Sequence, residues 1–342
     1  MCGRFSLRLA HQEIQEVQGY NLDHINEWIN RDHFVPRYNI APRSQAPVIR
    51  RRNPGGADAS NEYSPNQLVM QTMKWGLVPH WSKFEDKNLN TMNARSENLI
   101  SGGGMWNSIK GRKRCVVVCQ GYHLFTHSQR YFQSFSYFHR YYEWLSKGRD
   151  KLPHFTKPKN GKVMLLAGLY DSVQLQDQSD TLWSFTIVTT TASNEFSWLH
   201  DRQPVILSTR EDLDQWLDTS SQKWSEDLVK IVSRAYTKDS PLECYQVPKE
   251  VGKVGTESSS FILPIAARKD GIEAMFSKQK QAQPSSSKRK REMEEPKREA
   301  VAKADESEDD IEILDSPPSG KKAFKTLAKW LYLLVHLLWR TL

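Results

Sequence analysis

The order of patterns along the chain predicts an α+β fold, and two observations carry that class. Short β-branched and aromatic runs, punctuated by Gly, Pro and Asn, recur up to about Pro264. Helix-like stretches are few and do not alternate with those runs as repeated βαβ units would. In chain order, residues 12–18 read as a first helix. The runs RCVVVC (Arg114 to Cys119), KVMLLAGLY (Lys162 to Tyr170) and WSFTIVTTT (Trp183 to Thr191) read as strands of a buried sheet, because each is short and rich in residues that suit a covered pleated surface. Two helices follow at 211–217 and 226–232.

After Ala267 the composition changes. Lys, Glu, Ser and Pro in alternating charge blocks are too polar to bury a core, so 268–342 reads as a disordered, charged tail. Within it, KRKR (Lys288 to Arg291) suits nuclear import, and equally a solvated charge cluster. DDIEILDS (Asp309 to Ser316) sets three aliphatic side chains among acids, the pattern of a SUMO-interaction strand. KDGIEAMF (Lys269 to Phe276) and TLAKWL (Thr326 to Leu331) distantly resemble turns that bind the replication clamp, without the usual Gln and aromatic pair. The apolar end, WLYLLVHLLW (Trp330 to Trp339), would span about 15 Å as a helix, roughly half a bilayer core. A membrane anchor is therefore not expected, and a partner-docking helix or a spliced end remains open.

Composition narrows the partners. The formal charge of +8 favours an anionic partner such as nucleic acid, and eleven Trp and twelve Tyr supply aromatic faces that stack unpaired bases when Arg lies beside them. Four cysteines at irregular spacing do not make a disulfide framework, and no apolar run follows Met1, so a reducing compartment is expected.

Cys2 holds the most chemical potential. If Met1 is removed, Cys2 carries a free α-amine beside its thiol. That amine titrates near pH 8, about two units below a lysine, and is partly nucleophilic at neutral pH. An aldehyde would form an imine with it, which the thiol closes to a thiazolidine ring. The plain alternative is a residue at a frayed chain end. Further along, RYNIAP (Arg37 to Pro42), KWGLVPHW (Lys74 to Trp81) and NTMNARSEN (Asn90 to Asn98) set polar residues among rigid turns, with Asn93 and Arg95 on one face of an extended chain. YYEWL places Glu143 among aromatics, and LHDRQPVIL supplies His200 and Arg202 ahead of an apolar run. Taken singly, each has a structural explanation: a surface ion pair, a strand-end carboxylate, a satisfied histidine.

Taken together, MCGRF, RYNIAP, WGLVPHW, NARSE, YEWL, AGLYD, FTIVTT and LHDRQPVIL occur in the order seen in SRAP domains, and Met1 to about Pro264 resembles that family. The resemblance implies one SRAP-type domain, 1–267, with a curved, largely antiparallel sheet forming a barrel-like core flanked by short helices. It implies a monomeric nuclear sensor at replication forks that covalently captures abasic sites in single-stranded DNA, with lyase-like chemistry at the same imine. By the family pattern Cys2 is the nucleophile and Asn93, Glu143 and His200 complete the site, Glu143 and His200 moving protons and Asn93 orienting the amine. In the same way Arg4, Asn39, Pro42, Arg95, Thr189 and Arg202 line the DNA channel, and Trp81 and Trp144 stack against or wedge between bases, with core packing as their alternative. No cofactor is called for. A thiol autopeptidase that removes Met1, or a non-catalytic reader of 5-hydroxymethylcytosine in DNA, remain the alternative functions.

One departure from the family pattern stands out. HLFTHSQRYFQSFSYFHRY (His123 to Tyr141) intervenes just before Glu143, where a displaced carboxylate would cost the acid/base step. It also creates a run of Cys115, Cys119, His123 and His127 spaced by four. Only three residues separate its Cys and His pairs, too few for a zinc finger to fold back, so no metal site is expected there.

Overall fold

A computed structural model describes residues 3–17, 19–52, 67–119, 141–160, 163–176, 178–236 and 241–267. All of these fall within one unit, Met1–Gln283. Cys2, residues 123–140 of the insertion, and the tail segments 269–276, 288–291, 309–316 and 326–339 lie outside the described residues.

The chain runs β1 (Arg4–Leu7), α1 (His11–Gln15), β2 (Trp28–Ile29), β3 (Arg37–Ile40), β4 (Gln45–Arg51), β5 (Leu68–Trp75), β6 (Asn93–Arg95) and α2 (Ser96–Ser101). It continues through β7 (Arg114–Cys119), β8 (Tyr141–Lys147), β9 (Asp150–Pro158), β10 (Met164–Gln174), β11 (Thr181–Thr191) and β12 (Arg202–Pro204). Helices α3 (Arg210–Leu217) and α4 (Glu226–Val232) and strand β13 (Leu242–Gln246) complete it. The fold is thus α+β, and β7, β10 and β11 occupy the three runs that read as buried strands. Helix α1 is shorter than the pattern at 12–18 predicts. The chain leaves helical geometry at Val17, whose φ of 39° lies in the left-handed region. Helices α3 and α4 begin where Thr209 and Ser225 accept hydrogen bonds from the amides of Asp212 and Leu228, with acids in both first turns.

Five strands close into a barrel. Neighbours β11, β10, β7, β4 and β5 pair antiparallel in that order. Strand β5 then pairs in parallel with β11, Ser184 opposite Lys74 and Phe185 opposite Trp75, which completes the ring. All six residues of β7 are buried, as a continuous apolar run requires. Gly168 in β10 sits where a Cβ would come within 2.8 Å of the Thr186 carbonyl, so only glycine permits that approach. Cys115 and Cys119 belong to this core, and burial pushes the Cys115 thiol far above its ordinary range, which suits packing and not ligation. His123 and His127 lie outside the described residues.

A second sheet, in the order β13-β9-β8-β1-β3, packs beside the barrel. Phe5 of β1 meets the buried Trp75 at 5.1 Å, and Trp75 stacks on Phe185 at 6.4 Å, so an aromatic column joins the two sheets. On the other side of this sheet a smaller cluster forms from Tyr142, Phe155, Val247, Val251, Phe261 and Ile262. Strand β3 is an edge, and the Glu257 carboxylate accepts from the amides of Tyr38 (2.9 Å) and Asn39 (3.3 Å), covering groups that would otherwise invite another strand. Among the described residues no helix is long and apolar enough to cross a membrane.

Candidate active site

The site forms where the second sheet meets the turn between β11 and β12. Strand β8 starts at Tyr141, the last residue of the insertion, yet it is held on both sides: Tyr142 pairs with Arg4 of β1, and Tyr141 to Lys147 pair with Thr156 to Asp150 of β9. Glu143 therefore keeps a defined place. It is 4% exposed, and burial pushes its carboxyl up to about 7, partly offset by the positive charge of the chain's amino terminus. Strand β1 begins at Arg4, which pairs with Tyr142, the neighbour of Glu143.

His200 reaches this carboxylate from the turn. Its Nε2 lies 3.9 Å from Glu143 Oε1, too long for a direct hydrogen bond and wide enough for a water or a substrate oxygen to come between. Burial, followed by the nearby amino terminus, holds the imidazole below its ordinary range, so it is neutral at physiological pH. Its Nδ1 is 3.0 Å from the Arg202 amide and 2.5 Å from Asp201 Oδ1. The amide needs an acceptor there and the carboxylate a donor, so the two contacts select opposite tautomers. Whichever prevails sets whether Nε2 offers a lone pair or a proton toward Glu143.

Gln203 ties the halves together. Its Nε2 donates to the Tyr141 hydroxyl at 3.2 Å while its Oε1 accepts from the Ser193 amide at 2.9 Å, which links β8 to the turn that carries His200. Two further residues complete the wall. His154 of β9 is the direct cross-strand partner of Glu143, so both side chains leave the same face of the sheet. Its Nδ1–H donates to the Leu152 carbonyl at 3.0 Å, and its ring meets that of Trp198 edge to face, 5.3 Å between centroids. Sequence reasoning passes over Gln203, His154 and Trp198. Gln203 and Trp198 flank the recognised His200 in sequence, whereas His154 becomes a neighbour only through the β8–β9 register.

The remaining expected residues sit as follows. Asn93 is buried in β6, which pairs in parallel with β11 at Ile187, and Arg95 two residues on is exposed. Thr189 is buried, and its carbonyl accepts from Arg202 Nη2 at 2.6 Å while Arg202 Nη1 donates to Glu97 at 2.6 Å. The guanidinium fork of Arg202 is thus occupied within the protein and braces β12 against β11. Asn39 is buried too, and its Nδ2 donates to the carbonyls of Val251, Lys253 and Thr256 at 3.1 to 3.3 Å, which makes it a clamp on the 251–256 loop. Arg4 lies over the Trp144 ring at 6.0 Å, and half-buried Trp144 packs against the smaller cluster. Pro42 shapes the turn after β3. Trp81 is 54% exposed, and its turn is held by Asp171 of AGLYD, which accepts from both the backbone amide and Nδ1 of His80 at 2.9 Å. No group of three or more metal-ligating side chains gathers among the described residues.

Comparison with known proteins gives the family of the chain. "Abasic site processing protein YMR114C" of Saccharomyces cerevisiae is 32% identical over 290 residues, covering 78% of this chain and 68% of that protein. "Abasic site processing protein HMCES" of Gallus gallus is 28% identical over 243 residues, covering 64% and 66%, so the chain spans about two thirds of the length of these relatives. "Abasic site processing protein YoqW" of Bacillus subtilis is 27% identical over 263 residues, covering 77% of this chain and 99% of that one. A protein of Bacteroides thetaiotaomicron with a crystal structure shares the fold, with a TM-score of 0.57 at 18% identity over 77% of this chain and 99% of that one. The family described as SOS response associated peptidase (SRAP) matches residues 1–140 and 124–254, two segments that meet at the insertion. The chain belongs to the SRAP family.

Proposed function

We propose that this protein processes abasic sites in single-stranded DNA by reversible self-crosslinking through Cys2. The observation that carries the reading is the pairing of a buried, elevated Glu143 with a neutral His200 across 3.9 Å, beside the strand that the first residues enter. The names of the relatives supply the substrate class.

The steps balance without a cofactor. The base-free deoxyribose opens when its anomeric hydroxyl loses a proton and its ring oxygen gains one, and His200, neutral and able to present either tautomer, serves that exchange. The Cys2 amine, free once Met1 is removed, attacks the aldehyde carbon to give a carbinolamine. Glu143, with its carboxyl near 7, donates a proton to the departing hydroxyl, which leaves as water, and the resulting carboxylate takes the N–H proton from the iminium, so that a neutral imine remains and Glu143 is protonated again. The thiol then adds across the C=N bond, its proton passing to nitrogen, to give the thiazolidine. Reversal runs the same steps backwards, with Glu143 as base. Asn93 orients the amine, and Arg4, Arg95 and Arg202, with Pro42, Thr189 and the Asn39-clamped loop, shape the DNA path, while Trp81 and Trp144 meet bases. Nuclear location and the SUMO and clamp contacts of the tail belong to this reading as its cellular setting.

The description of the family as a peptidase favours one second reading, in which the same thiol removes Met1 from its own chain. One experiment separates them. Purified protein is incubated with single-stranded DNA carrying one abasic site, then denatured and resolved by electrophoresis. A heat-resistant shifted band in wild type, absent in Cys2→Ala, is expected. Equal bands in both, or none in wild type, would sink the crosslinking reading, and cleavage of a peptide in trans would favour the peptidase.

A further inference from the structure

Beside the Glu143 and His200 pair stands an aromatic surface that the proposed chemistry does not use. Trp198 is 50% exposed, two residues before His200 in the same turn. Large apolar side chains at this exposure ordinarily swing freely, but this one is fixed. Its Nε1–H donates to the Glu195 carbonyl at 2.9 Å, and the His154 ring abuts it at an interplanar angle of 82°. His154 is itself buried and held by Leu152, so the indole rests on a rigid support. That support is the cross-strand neighbour of Glu143, which puts the indole at the rim of the site.

Positive charge accompanies it. Lys147 leaves the same face of β8 as Glu143, at the exposed tip of the β8–β9 hairpin. Lys151, exposed on the returning strand, pairs with Ser146 and donates to its hydroxyl at 2.8 Å, so it leaves the other face of the hairpin, although its charge is still felt at His200. A fixed aromatic face with cations next to it is the composition by which proteins track single-stranded nucleic acid, the ring stacking a base and the cations meeting the backbone.

We propose that Trp198 is a stacking platform for the nucleobase next to the abasic nucleotide, with Lys147, on the face of β8 that carries Glu143, receiving a flanking phosphate. The inference rests on the abasic-site reading and deepens it, because it says how the strand is gripped where the lesion itself offers no base. A lesion without a base gives up its own stacking, and a neighbour held on Trp198 restores grip while leaving the deoxyribose free to reach Cys2.

The test uses the full chain and oligonucleotides with a tetrahydrofuran spacer at the lesion, which lacks the aldehyde and so reports reversible binding by fluorescence anisotropy. Two further oligonucleotides carry a second spacer immediately 5′ or 3′ of the first. For wild type, one of these two should bind about tenfold more weakly, the loss expected when one stacked base is removed. Trp198→Ala should weaken binding to the fully flanked oligonucleotide by a similar factor and show no additional loss with that same spacer, and Trp198→Phe should recover most of the affinity. The platform is overturned if neither flanking spacer weakens wild type, or if Trp198→Ala loses equally with every oligonucleotide. Because Trp81 and Trp144 also meet bases in this reading, the wild-type spacer loss counts for the platform only when it disappears on removing the Trp198 ring; should Trp198→Ala fold poorly, Trp198→Leu, which keeps an apolar side chain without the ring, takes its place in the same comparison. Failure of the parent reading looks different: wild type would then bind the spacer DNA but form no covalent band with the aldehyde-bearing strand.

Discussion

At the residue scale, the site depends on holding a carboxylate where water would normally stabilise its charge. Glu143 is shifted from 4.5 to about 7, mainly by burial, so its neutral form is favoured in the folded state. Below about pH 4.5 it is protonated whether folded or unfolded and that stability is fully present. As pH rises toward and through 7 the unfolded chain ionises first, and the contribution is lost. Glu143→Gln should therefore be more stable than wild type at pH 8 by up to about 3 kcal/mol, with no gain below pH 4.5, as read by urea denaturation at the two pH values. The same variant should slow crosslinking by about 10²-fold or more, since a general acid is removed. A variant equally stable at both pH values would show that the carboxyl is not held out of water. Glu143 was legible as a candidate from a lone acid among aromatics once the family motifs were recognised. His154 was not, because no local feature of LPHF marks it, and only register puts it opposite Glu143.

At the scale of elements, the site depends on joints between segments far apart in the chain. Gln203 joins β8 to the β11–β12 turn, and Gln203→Leu would leave the part-buried Ser193 amide without its acceptor and the buried Tyr141 hydroxyl with only its Thr156 contact. A loss of about 1 to 3 kcal/mol is expected from the melting transition, together with slower crosslinking as His200 moves away from Glu143. Asn39→Ala should release the 251–256 loop, seen as faster amide exchange at Val251 and Thr256, with little change in barrel strands such as β7. Strands β7, β10 and β11 were legible because a strand covered on both faces is built mostly of β-branched and aromatic residues in short runs. The extent of α1 was not, because backbone geometry at Val17 ends it one turn early.

At the scale of the whole molecule, charge and insertion are the open levers. With a net charge of +8, affinity for single-stranded DNA should fall steeply with salt, and Arg95→Ala should lessen the slope of log affinity against log salt by about 0.7, the value for one phosphate contact. An unchanged slope would remove Arg95 from the DNA path. Deleting 123–140 should leave the crosslinking rate as it is, because β8 is held by β1 and β9 and does not depend on what precedes it. A large loss on deletion would mean the inserted residues take part in the site. By itself, the sequence determined the α+β class and the buried strands and marked the candidate reacting groups, since apolar patterning and residue chemistry are local properties. Closure of the barrel through β5 and β11, the meeting of Glu143 with His200, the bracing of Arg202 by Glu97 and Thr189, and the Trp198 face beside them were decided only by tertiary structure. Each depends on pairing register and on contacts between residues separated by tens to more than a hundred positions, which no local pattern encodes.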